Sequence, residues 1–365
     1  LWHSTVVESN ASEPQKSNNP GGLDKKKSII LGLVGLVFIV IIFWKVIPQI
    51  GSYSDALTAL KAMSSLAIVL IVACVLLYLL TYGLPFMAAT PGLKYWRSQQ
   101  VNQAAFAISN GVPGGGAVGL AVQFGMLSTF GVAGTSATAA ITAVGLWSTF
   151  VTLFFPVLGV VAITIFGLGG DAHALTGLLG IGILVAVVSV FVLVMRSESL
   201  AVKIGAFANR LIKPLRKRIK ALATIDLQAP IVKFRADMYE VLKKRWGALT
   251  AAQIAVSFTQ FLILYVALRG VEGWDSAGTS FAAAFAAFAI AQIGLMIPIT
   301  PGGLGTVDAA LIALLVGFGA STGAATAADL VWRAASFIPQ IGIGVVALIA
   351  WYRKAGQALA QASRK

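Results

Sequence analysis

The sequence predicts an all-α polytopic membrane protein, with about six full transmembrane helices plus two re-entrant Pro-Gly-Gly hairpins arranged as inverted-topology repeats. Three observations carry that expectation. Of 365 residues, 58% are hydrophobic and 11% charged, far too little polar surface to cover a soluble globule. Apolar runs of spanning length recur without the alternating pattern of a barrel strand, so the spans are helices. Finally, an offset of 188 positions carries Pro113-Gly114-Gly115 onto Pro301-Gly302-Gly303, Phe130-Gly131 onto Phe318-Gly319, and Ala137-Thr138-Ala139-Ala140 onto Ala325-Thr326-Ala327-Ala328. Three matches in one ungapped register mark an internal repeat.

Residues 1–27 are rich in Ser, Asn, Pro and Lys and read as a disordered polar tail. The remainder, 28–352, reads as one transmembrane domain followed by a basic tail at 353–365. Lys25-Lys26-Lys27 precede a first span at 28–47, which places the N-terminus in the cytoplasm. Tyr53 to Met63 carries Ala56, Leu57, Leu60 and Met63 at helical spacing, as an interfacial helix would. Repeat A then occupies 64–168. Ser64 to Ala89 is its opening span, Lys94 to Arg97 is a basic, aromatic return to the interface, and Ala137 to Phe166 is its closing span.

A further span at Leu175 to Met195 returns inward to a strongly basic stretch, so 169–245 holds a span plus a cytoplasmic loop. From Arg196 to Arg245 there are thirteen Lys/Arg against four acids. Positive-inside topology accounts for them, and anionic lipid headgroups are the partner such a loop would meet. Repeat B, 246–352, repeats the plan: Trp246 to Leu268, a hairpin around Pro301, and Ala327 to Tyr352 ending at Arg353 and Lys354. The C-terminus is therefore expected in the cytoplasm.

Between its spans each repeat carries two helices too short to cross comfortably. Ser98 to Val112 reaches roughly 22 Å at 1.5 Å per residue, against a hydrocarbon core of about 30 Å. It is also polar, with Gln99, Gln100, Asn102, Gln103 and Asn110. The glycines follow, and a second short helix returns to Phe130. If this hairpin enters from inside, the one at Pro301 must enter from outside for the last span to finish in the cytoplasm. That is inverted topology, the common plan of alternating-access carriers.

Candidate binding residues are the two turns, Pro113, Gly114 and Gly115 with Pro301, Gly302, Gly303 and Gly305. There a helix N-terminus would aim its free N–H groups at an anion near the midplane. Asp308 lies in the first turn after the second motif and Arg333 on the last span, each costing about 2.5–3.5 kcal/mol to insert. Asp308 is expected to cap freed N–H groups, bind an amine or carry a proton. Asp329 lies four residues before Arg333, so the two could pair along one helix, with Arg333 otherwise free to meet a phosphate. Gln123, Gln253, Gln260, Gln292 and Gln340 form a polar path or bond between helices.

The formal charge of +14 lies between spans, which argues against nucleic acid. Cys74 sits within an apolar run, as packing would place it, and His3 and His173 are isolated, so the sequence offers no metal site and implies no cofactor.

Pro301-Gly302-Gly303-Leu304-Gly305 with Asp308, an Ala/Leu-rich helix, and Arg333 on a later span resemble the lysylphosphatidylglycerol synthase transmembrane-region family, over roughly residues 28–352. The resemblance implies a bacterial cytoplasmic membrane protein that moves a phospholipid or polyprenyl-linked lipid between leaflets. It points to the two Pro-Gly-Gly turns, Gly305, Asp308 and Arg333. Many relatives carry an acid and an arginine after the first glycines, whereas Gly116 to Val122 is uncharged. The residues themselves leave several functions open: a translocase for an anionic, aminoacylated or polyprenyl-phosphate-linked lipid, a membrane enzyme transferring a group to or from a lipid, or a carrier of small solutes or ions. A partner of a cell-envelope enzyme is a further reading, and a second copy of the chain is another candidate partner.

Overall fold

The computed structural model describes residues 63–111, 115–168, 197–216, 228–274, 278–296 and 301–362, with isolated positions between. The expected first span, nearly all of the interfacial segment and of the span at 175–195, and Pro113, Gly114, Asp171 and His173 lie outside the described residues. Within them the structure is helical. Four helices are long and apolar enough to cross a membrane: Ser65–Ala89, Gly134–Ile165, Arg245–Glu272 and Thr322–Arg353. Leu66, Val69, Leu76, Ile338 and Val346 are exposed large apolar side chains on the first and last of these, as helices facing lipid present.

Helix α1 (Ser65–Thr81) is capped by Ser64, whose Oγ accepts from Ala67 N at 3.2 Å. The chain breaks at Tyr82-Gly83 ahead of Pro85 and resumes as α2 (Leu84–Ala89). That break leaves carbonyls in need of donors, and α3 (Tyr95–Gly111) supplies them. Ser98 donates to Gly83 O, Gln99 to Leu79 O and Asn102 to Tyr82 O. The polar character of α3, which the sequence made hard to place, is in large part this repair.

α3 and α4 (Gly115–Thr129) form a closely packed hairpin. A Cβ on Gly115 would lie 2.1 Å from Ile108 O, and one on Gly119 2.3 Å from Ser109 Oγ, so only glycine permits this approach. At the base, Arg97 Nη1 donates to Phe130 O at 3.2 Å, so the pair leaves where it starts. α5 (Gly134–Ile165) follows.

The described residues of the basic stretch between the spans are helical. α6 (Glu198–Arg216) packs on α7 (Gln228–Glu272), a single helix of 45 residues whose basic first third runs straight into the span. Lys, Arg and Glu are good helix formers, so charge density alone does not make a loop. Arg269 and Glu272 at its far end pair at 3.2 Å, and Glu272 also accepts from Thr279 N and Oγ1, tying α7 to the next hairpin.

That hairpin comprises α8 (Phe281–Ala291) with a 3₁₀ extension Gln292–Met296, a turn at Pro301–Gly303, and α9 (Thr306–Gly317). α10 (Thr322–Ala362) closes the chain, 41 residues long and continuous past the expected end at Tyr352. The two long closing helices exchange partners. α10 packs on α3 of the first hairpin, where a Cβ at Gly344 would lie 2.2 Å from Gln103 O. α5 packs on α8 of the second, where one at Gly159 would lie 3.0 Å from Ala286 O. Phe155, Phe288 and Trp332 link α5, α8 and α10 through edge contacts, with centroids 6.3 and 5.8 Å apart.

Candidate functional site: a polar cavity at the hairpin tips

The second turn can be built from its glycines upward. Gly302, Gly303 and Gly305 have φ of 62°, 67° and 85°, a left-handed backbone that costs other residues about 1–2 kcal/mol each. Their curl points the carbonyls of Gly302 and Gly303 at α10. Arg333 answers both, Nη1 to Gly302 O at 3.0 Å and Nη2 to Gly303 O at 3.4 Å. Its Nε donates to Asp308 Oδ1, and Asp308 Oδ2 accepts from Gly305 N at 2.5 Å, capping α9. One planar guanidinium thus holds the turn and the helix that follows it. Trp332 and Phe337 flank it, their centroids 4.6 and 5.1 Å from the guanidinium carbon.

One expectation changes here. Arg333 pairs with Asp308, not with Asp329 on its own helix, because the turn and α9 together offer three acceptors to its fork. At the N-terminus of α9 the Asp308 carboxylate caps Gly305 N. The bare faces of the glycines are also covered. A Cβ on Gly302 would meet the Phe337 ring at 2.8 Å and Asn110 Oδ1 at 2.9 Å, and one on Gly303 would meet Val307 Cγ2 at 2.7 Å. The Asn110 contact brings the tip of the first hairpin against the second.

Beside this junction lies a cavity of about 420 Å³. Gly302 and Arg333 line it, as do four of the five glutamines singled out in the sequence, Gln123, Gln253, Gln260 and Gln292. Gln253 donates to Val144 O at 3.3 Å, bridging α7 to α5. Gln292 is 8% exposed, and its backbone N–H caps α8 by donating to Phe288 O. Asn102 and Asn110 complete a ring of carboxamides, and Tyr78, Tyr82, Phe106 and Phe337 supply aromatic wall. Among the described lining residues Arg333 is the one ionisable group apart from the tyrosines, and its charge is balanced by Asp308. The most exposed of the described lining residues are Leu120, at 53%, Leu295, at 40%, Gly145 and Ser148, and none of these carries a charge.

Asp308, Asp329 and Gln340 do not line the cavity. All three are fully buried, and Asp329 and Gln340 follow Arg333's face of α10, as does Ser336. Gly115 serves the α3–α4 contact, and the side chain of Pro301 lies outside the description. Reading α10 at helical spacing, 329, 333, 336 and 340, would have found this buried polar stripe in the sequence. Tyr78 and Phe337 carried no such signal. Among the described residues no group of three or more His, Cys, Asp or Glu is placed to hold a metal ion.

Comparison with curated proteins finds no match. Residues 29–344 match the family described as the lysylphosphatidylglycerol synthase TM region. A multi-pass helical chain, matched over most of its length and carrying the Pro-Gly-Gly turn, Asp308 and Arg333 in one clamp, belongs to that family.

Proposed function

We propose that this chain is a lipid translocase of the bacterial cytoplasmic membrane, moving an anionic, aminoacylated or polyprenyl-phosphate-linked lipid between leaflets. The observation that carries the reading is the cavity: a polar floor of carboxamides inside a membrane protein of this family, reached past an uncharged rim. At about 420 Å³ it is near the small end of ligand sites, which run from about 300 to 1,000 Å³, so it suits a headgroup whose chains stay in lipid. A soluble solute would call for a mouth lined for water.

In this reading each hairpin is re-entrant, six spans surround the pair, and the halves are inverted repeats. Support comes from the exchange of closing helices. α10 on α3 and α5 on α8 are equivalent contacts under the 188-residue register, as a pseudo-twofold would produce. Rocking one half against the other would expose the cavity to alternate leaflets. The headgroup is held by carboxamides from both halves, Gln123 from the first and Gln260 and Gln292 from the second.

Proteoliposomes carrying a fluorescent phosphatidylglycerol test this. Wild-type protein is expected to move label between leaflets faster than protein-free vesicles, with Gln260→Leu and Gln292→Leu slowed several-fold at unchanged thermal stability. Wild-type vesicles no faster than empty ones, with phosphatidylglycerol, its lysyl ester and a polyprenyl phosphate alike, would sink the reading.

A further inference from the structure

The junction of α9 and α10 holds more acid than its base can balance. Asp308 and Asp329 are 0% exposed and Arg333 is 2% exposed. The guanidinium is committed to Asp308 and to the carbonyls of Gly302 and Gly303. Asp329, one helical turn before Arg333 on α10, lies within electrostatic reach of both Asp308 and Arg333, yet neither of its oxygens finds a donor among the described residues. Two facing carboxyl groups are both acceptors when both are ionised. With one proton between them, the protonated acid becomes a donor to the other.

We propose that Asp308 and Asp329 share one exchangeable proton, and that its uptake and release drive the lipid site from one leaflet to the other. This rests on the translocase reading for its second half only. In the present conformation the proton sits on Asp329, leaving Asp308 as the carboxylate that pairs with Arg333. The cluster is then neutral, as a water-poor interior demands. Transfer breaks the O–H bond of Asp329 and forms one on Asp308. Asp329, four residues from Arg333 on the same helix, becomes the carboxylate and can take the guanidinium. Arg333 then releases Gly302 and Gly303, the turn is free to move, and the proton on Asp308 is released to water once the moving turn uncovers it.

Other groups near the pair do not compete. Tyr78 on α1 faces Arg333 and Gln340. The charged residues of α3 and α7 with described partners are engaged elsewhere: Arg97 at Phe130 O, Arg245 at Ala88 O, and Arg269 at Glu272.

Infrared difference spectroscopy on the full chain in nanodiscs reads the proton without any lipid movement. Wild type is expected to show the carbonyl stretch of a protonated carboxyl at neutral pH, exchanging in deuterated buffer, and Asp329→Asn to lack it. Asn mimics the protonated acid, so this variant keeps the Asp308–Arg333 pair. Asp308→Asn is the second variant and also loses the band, because Arg333 then pairs with Asp329. In proteoliposomes with fluorescent phosphatidylglycerol, an imposed pH gradient is expected to speed wild-type movement several-fold, a response absent from Asp329→Asn. A wild type without the carbonyl band overturns the shared proton whatever the lipid does. A band with lipid movement indifferent to the gradient overturns the coupling. A wild type that moves no label fails the translocase reading and the coupling with it, while the band still decides the shared proton.

Discussion

Replacing Arg333 by alanine leaves Asp308 fully buried without its guanidinium, with Gly305 N as the donor that remains beside Asp329, and strips two turn carbonyls of their donors. Removing one partner of a buried pair costs about 3–5 kcal/mol, largely the penalty of the charge left behind. At about 1.4 kcal/mol per factor of ten, the folded population relative to unfolded falls roughly a hundred- to several-thousandfold. Arg333→Lys keeps the charge but not the fork, and a lysine can serve Asp308 or the two carbonyls but not all three in one plane. It should fall between wild type and alanine. The double variant Asp308→Leu/Arg333→Met removes both charges and should be more stable than Arg333→Ala, a non-additivity that marks direct contact. The assay is thermal unfolding in detergent, followed by size-exclusion retention. Should Arg333→Ala unfold at the wild-type temperature while losing lipid movement, the clamp reasoning is refuted, and Arg333 would be a headgroup ligand first.

Several other perturbations have defined outcomes. Gly344→Leu drives a side chain into Gln103 O of α3 and Gly159→Leu into Ala286 O of α8; each should cost about 1–3 kcal/mol, with Gly344 the worse because its approach is closer. Gly303→Ala should cost about 1–2 kcal/mol from its left-handed backbone, plus displacement of Val307, seen as a lowered unfolding temperature. Asn102→Leu leaves Tyr82 O at the α1–α2 break without its donor and should cost about 1–3 kcal/mol, read by hydrogen exchange at the break.

The four long apolar helices were legible because membrane insertion writes itself as length and hydropathy, and the break before α9 because Pro301 and its glycines interrupt such a run. Asp308 and Arg333 stood out because charge in an apolar run is costly. What the sequence did not reveal is which charge meets which. Asp329 and Arg333 sit at a spacing that permits pairing, and nothing local says that a turn thirty residues upstream will present better acceptors. The helical continuation through 228–245 was hidden because positive charge signals both topology and loops, while its residues are individually good helix formers. The polar positions of α3 looked like an obstacle to membrane burial. Their reason lies in another element, the backbone break at Gly83, which no window on α3 could contain.

The pairing of Arg333 bears directly on what the cavity can recognise. A free guanidinium facing it would hold a phosphate by charge, and would bind one anionic lipid much as any other. With Arg333 balanced by Asp308, the floor is left to neutral groups, Gln123, Gln260 and Gln292, each offering a donor and an acceptor. Under the translocase proposal, discrimination would then rest on hydrogen-bond geometry, where a missing group leaves a buried carboxamide unpaired. Charge attraction is regained only if Arg333 leaves Asp308, which under the shared-proton scheme happens as the turn opens. Binding by shape in the closed site and by charge during opening would let one arginine serve both the fold and the movement. It also predicts that Gln292→Leu widens the range of lipids moved, whereas Asp329→Asn leaves that range alone and removes its dependence on a pH gradient.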